Sequence, residues 1–156
     1  MDLDRQIQAL IDGAPQDGST PQAIAAIAPA LKTLAKRLKH LEYYILQSPN
    51  EEWVLTTLRN DKQPQVTKKV IYAFTTLKDA SQSPPAKANP NLIASPKPVA
   101  AVLFQMVTLN PNDNISLVFF DSPGDTESGT EVPVREIQKL IQSHLRQTRA
   151  YPPNLA

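Results

Sequence analysis

Residues 31–46, LKTLAKRLKHLEYYIL, place leucine or isoleucine at 31, 34, 38, 41 and 45, with mostly basic residues between them. Spacings of three and four set these side chains along one stripe of a helix. Toward the N-terminus the stripe takes in Ile24 and Ile27. Ile24, Ile27, Leu31, Leu34, Leu38, Leu41 and Ile45 then form an unbroken a/d heptad seam of coiled-coil type. The pattern predicts one long helix over residues 21–47. Thr20-Pro21 supplies its start, a hydroxyl cap followed by proline at the first helical position. Pro29 falls at an f position, away from the seam, and predicts a kink or a restart there. Ala28, Ala30 and Ala35 flank the seam and are small enough to admit a neighbouring helix.

Upstream, residues 2–12 (DLDRQIQALID) predict a short helix. Asp2 or Asp4 can cap it, and Leu3, Ile7, Leu10 and Ile11 lie on one face. The two helices make an expected helical arm over residues 1–48. Burying one large aliphatic side chain is worth about 1.5–3 kcal/mol, so the seam is too apolar to stay in water. At about 1.5 Å per residue the first helix is too short to cover it. The remaining choices are the rest of the chain, a second copy or another protein.

Downstream the character changes at Ser48-Pro49-Asn50. Residues 51–59 (EEWVLTTLR) and 66–75 (VTKKVIYAFT) are rich in β-branched and aromatic types and predict an antiparallel hairpin. In the second strand Val70, Tyr72 and Phe74 share one face, Ile71 and Ala73 the other. Residues 77–80 read as one helical turn, and 81–97 as a proline-rich loop. Residues 98–109 predict a buried helix, with a strand as the competing reading. A strongly apolar strand follows at 115–121, then a polar loop, a helix over 133–148 and a tail at 151–156. The expected fold is α+β: a small sheet of a β-hairpin plus a third strand, with helices packed on it, forming a body over 49–150 behind the N-terminal arm.

Of the 156 residues, 41% are hydrophobic and 20% charged, with a formal net charge of +1. No global field steers the chain to nucleic acid or a membrane. Fifteen prolines against four glycines favour stiff connectors. There is no cysteine, which excludes disulfides, thiolate catalysis and cysteine-bound zinc. Without a basic segment leading into an apolar run, or a stretch of roughly 18 apolar residues, the expected location is cytoplasmic and no transmembrane segment is expected.

The segments VIYAFTTLKDA (70–80) and ISLVFFDSPGDTESGTEVPVREIQKL (115–140) together resemble the N-terminal domain of the SseB (enhanced serine sensitivity) family. The first is similar to a strand ending in a Phe-Thr-x-x-x-x-Ala turn. The second is similar to a hydrophobic strand running through a Pro-Gly loop into a helix with a Glu-Ile pair. The resemblance covers residues 51–148 and implies a fold more than an activity. Here Asp-Ser-Pro stands where that family more often has Asn-Pro, and the 81–98 insert is longer. The helical N-terminal part has no counterpart there.

Catalytic patterns are sparse. His40 and His144 are far apart in sequence and lack the companions of a metal site. The polar loop 121–131 leaves a buried strand, where ligand sites often lie, but it has neither EF-hand spacing nor a nucleophile elbow. Trp53, Tyr72 and Phe74 suggest a hairpin-face cluster or a base-stacking platform. No catalytic residue, metal or cofactor is assigned. Lys32, Lys36, Arg37 and Lys39 form a basic face on the long helix, while 110–134 holds Asp113, Asp121, Asp125, Glu127 and Glu131 and no lysine or arginine. The expected function is therefore a non-catalytic protein-interaction or adaptor module. It would oligomerise or dock through the helix at 21–47, the seam residues supplying packing and the four basic residues orientation. The alternative is RNA or anionic-membrane-surface binding through the basic face.

Overall fold

A computed structural model describes residues 2–60 and 62–149. The fold is α+β, with a mixed sheet and helices packed on it. In chain order the helices are α1 (Leu3–Asp12), α2 (Thr20–Ala35), α3 (Leu77–Ser81), α4 (Pro84–Ala88), α5 (Val99–Gln105) and α6 (Val134–Arg149). The strands are β1 (Glu42–Gln47), β2 (Thr56–Asn60), β3 (Gln63–Phe74), β4 (Ile93–Pro98), β5 (Ile115–Phe120) and β6 (Gly129–Pro133). Short 3₁₀ turns follow α5 and precede β5.

The sheet order is β4-β1-β3-β5-β6, with β2 also paired to β3. β3 is its spine. Its first part forms the expected hairpin with β2, and its end pairs antiparallel with β1, Tyr44 opposite Phe74. On the other side β3 runs parallel to β5, Tyr72 beside Val118. The crossover between these strands holds α3, α4, β4 and α5, as a parallel pair requires a long connection.

The expected helix at 21–47 is corrected. α2 ends at Ala35, and residues 42–47 form β1, clamped between β3 and β4. The chain leaves the helix through tight turns, with Arg37 N–H donating to the Leu34 carbonyl and Leu38 N–H to Ala35. β1 lies inside the sheet, so both its faces are covered: Tyr43, Ile45 and Leu46 are all buried. Such a strand loses the alternation that marks a half-buried one. Its Ile45 happens to fall in phase with the helical spacing before it. α2 itself starts at Thr20 with Pro21 in its first turn, and runs unbroken past an exposed Pro29. Asp17 holds its N-terminus, accepting from the N–H groups of Ser19 and Thr20 at 2.9 and 2.7 Å.

The division into arm and body is also corrected. Ile7, Ile27, Leu31 and Leu34 lie in one cluster with Tyr43, Ile45, Ile71, Leu117 and Phe119. α1, α2, α5 and α6 thus cover one face of the sheet as a single layer. Gln6 of α1 is buried within it. Its Nε2 donates to the Leu41 carbonyl (2.9 Å) and its Oε1 accepts from Ala100 N–H (3.0 Å). A buried amide stays in a core only when so bonded, and this one ties the first helix to α5 and to the residue that leads into β1.

Three smaller expectations change. The strand expected at 51–59 is confined to 56–60. Residues 48–52 are a loop in which the Ser48 hydroxyl accepts from Asn50 and Glu52 N–H. The proline-rich segment 81–97 contains α4 and β4. β4 sits at the edge of the sheet, where Pro96 and Pro98 forfeit no ladder bond on the open side. The polar loop before α6 includes β6, so the sheet has six strands among the described residues rather than three. At the start of β6 a Cβ on Gly129 would lie 2.6 Å from the Phe119 carbonyl oxygen, so only glycine permits the approach. The expected tail at 151–156 lies outside the described residues.

Candidate binding cleft

The seam residues are not a free surface. Ile24, Ile27, Leu31 and Leu34 are buried beneath α2, and Ile45 is buried on β1. Leu38 is half-buried against the same core, and only Leu41 is exposed. The basic residues mostly meet carboxylates of their own chain. Lys32 pairs with Asp4 at 2.6 Å, Arg37 with Glu136, and Lys39 with Asp121 at 3.5 Å. Lys32 holds the Asp4 carboxyl below its ordinary value, first through a hydrogen bond, with Lys36 adding a longer-range attraction. His40 also reaches the acidic loop, its Nε2 bonding the Asp121 carbonyl at 2.7 Å. His144 bonds the Leu140 carbonyl on its own helix. Among the described residues no three acids or histidines converge as metal ligands do, and no helix is long and apolar enough to cross a membrane.

The opposite face of the sheet carries a different feature. Side chains alternate along strands, so Tyr72 and Phe74 of β3 and Phe120 of β5 project away from the four helices. Their rings form a cluster. Tyr72 and Phe120 stack at 5.6 Å with planes 9° apart, and Phe74 lies 5.3 Å from Phe120. β3 and β5 are neighbouring parallel strands, and these aromatics sit at their carboxyl ends. From there the chain departs into α3 on one side and into the 121–128 loop on the other. Such divergence opens a crevice in α/β sheets.

That crevice is a cleft of about 580 Å³. Tyr72, half-buried, forms its floor over the buried Phe74 and Phe120, which are 3% and 6% exposed. Lys78, Asp79 and Gln82 of the α3 region line one wall with Pro84 and Pro85, and Gly124 and Thr126 line the facing loop. α3 begins where Thr76 caps it, accepting from Asp79 N–H at 3.1 Å. The Asp79 carboxylate then reaches across the cleft and accepts from Gly124 N–H at 2.8 Å. Gly124 has φ +79°, a conformation that disfavours a side chain. Asp125 braces the loop from within, accepting from Glu127 and Ser128 N–H, and these bonds hold its carboxyl below the usual carboxylate range. The walls are therefore joined before any ligand arrives.

Sequence reading found two of the floor residues, Tyr72 and Phe74, as a shared hairpin face. Trp53 does not join them; it packs against the core under the helices. Phe120 and the α3–α4 wall carry no local sequence signal that links them to this face. Asp121 turns to Lys39, and Thr130, in register with Phe119, belongs to the helix-covered face. A scan against protein-family models finds no match, and comparison with curated proteins and with solved structures finds none either.

Proposed function

We propose that this chain is a non-catalytic interaction module that takes its partner in the cleft on the open side of the sheet. The observation that carries the reading is the aromatic floor held between two walls already bonded together by Asp79 and Gly124. Pockets of this volume, apolar within and polar at the rim, suit small or peptide ligands. The seam offers little surface for self-association, because Leu31 and Leu34 are at most 1% exposed. Binding of RNA or an anionic membrane by the basic face is the competing reading. It is weakened by the carboxylates opposite Lys32, Arg37 and Lys39. A cytoplasmic site of action goes with the proposal, supported by the lack of cysteine. So does the resemblance of residues 51–148 to the SseB N-terminal domain, which lends a fold and no chemistry.

The test is a photo-crosslinking side chain placed at Gln82 or at Lys36 in the full chain in cells. The proposal expects a discrete adduct from position 82, abolished when Thr126→Trp fills the cleft, and none from position 36. Adducts from position 36 alone, or retention of the purified chain on RNA or anionic vesicles at low salt, would move the function to the basic face.

A further inference from the structure

The polar groups left over around the cleft say what kind of partner fits it. Its carboxylates are engaged: Asp79 by Gly124 N–H and Thr75, Asp125 by its own loop. Among the described residues, the side-chain polar groups of Tyr72, Lys78, Gln82, Thr56 and Thr126 have no protein partner. All five can donate, and Lys78 can only donate. The cleft thus offers an aromatic floor under a rim of unengaged donors, with one unpaired positive charge. A ligand that complements it presents an apolar ring below and acceptors above. An extended proline-rich peptide has this chemistry. Its backbone carbonyls are unengaged, its proline nitrogens carry no hydrogen, and aromatic-lined grooves recognise it in its preformed polyproline conformation.

We infer that the cleft binds a proline-rich extended peptide, with a proline ring on the half-buried Tyr72 above the buried Phe74 and Phe120, its carbonyls on the Tyr72 and Gln82 donors, and an acidic residue facing Lys78. The inference rests on the cleft being the binding surface proposed above.

The probe is an acetylated, amidated octapeptide of proline with one central glutamate, titrated into the isotope-labelled full chain and followed by amide shifts. Three controls accompany it: all-proline, the same peptide with alanine for proline, and benzoate. Shifts are expected in 72–82 and 120–126, saturating with Kd tighter than about 1 mM, and the alanine peptide is expected to bind at least tenfold more weakly. Tyr72→Phe, which keeps the ring, should weaken binding about fivefold, the equivalent of one hydrogen bond. Lys78→Glu should weaken the glutamate peptide but not the all-proline one. Shifts elsewhere, equal binding of the alanine peptide, or benzoate binding as tightly would overturn the peptide assignment. If no peptide binds while the Gln82 adduct persists, the ligand class is wrong and the cleft stands. If both fail, both proposals fall.

Discussion

The two faces of the sheet are built from alternate residues of the same strands, yet they are covered very differently. Phe119 points beneath four helices and is fully buried; Phe120, its neighbour in sequence, points the other way and borders the cleft. One face carries the larger core. The other carries a smaller core of Leu46, Phe74, Ala80 and Phe120 under α3, α4 and the segment leading to β4, and leaves the half-buried Tyr72 ring at the cleft. A single alternating strand can therefore hold a structural and a recognition role at once, and the pleat keeps them from interfering.

Adjacent substitutions can break this contrast. Phe119→Ala should cost about 3–5 kcal/mol, the usual penalty for emptying a closed core site. Phe120→Ala should cost toward the lower end of that range, about 3 kcal/mol, because Phe120 is only 6% exposed but its cluster with Leu46, Phe74 and Ala80 is smaller and abuts the cleft. Urea denaturation of the two variants measures both. Equal losses would mean that the two faces are equally closed.

A smaller effect is expected at Gln6. Replacing it with alanine removes the acceptor of Ala100 N–H and one donor to the Leu41 carbonyl. The expected loss is about 1–3 kcal/mol, that of a buried polar group left unsatisfied. A neutral outcome would show that α1 is not held by this amide. On the open face, Asp79→Asn should leave stability within about 1 kcal/mol, replacing a charged acceptor by a neutral one. Its signature is local: faster hydrogen exchange at Gly124, with the core amides unchanged.

The smallest effect concerns the pair that closes the far end of the open face. Glu131 of β6 reaches over β5 to Lys68 of β3 and accepts from the Ser116 hydroxyl at 3.0 Å. The hydrogen bond from Lys68, foremost, and that from Ser116 hold its carboxyl below its ordinary value of 4.5. A depressed carboxylate contributes stability that is present above its ordinary value and lost as pH falls through the folded one. Glu131→Gln should therefore be slightly less stable than the parent near neutrality, with the difference shrinking below about pH 4.5. Both groups are more than a third exposed, so the gap should be small and should narrow further in salt.

Much of this architecture was legible in the sequence. Asp2 as a cap, the opposed faces of β3 and the apolar run of β5 are all where local rules place them. Residues 42–47 were not, because a strand covered on both faces has no alternation and Ile45 continued the helical spacing. The edge strands β4 and β6 were hidden by proline and glycine, which read as loop unless the open side of an edge is known. The cleft was half visible. Tyr72 and Phe74 stood out as neighbours on one strand, while Phe120 joins them only through parallel pairing across a long crossover, which no local pattern encodes.

The N-terminal helices belong to the same folded unit as the sheet, since the first 47 residues supply β1 and the helix that covers it. A chain beginning at Ser48 tests this most directly by its amide spectrum. The expected spectrum is collapsed or unfolded, without dispersion, because Tyr43, Ile45, Leu31 and Leu34 leave the core together. A well-dispersed, cooperatively melting fragment would contradict it and restore the N-terminal helices as a separate arm.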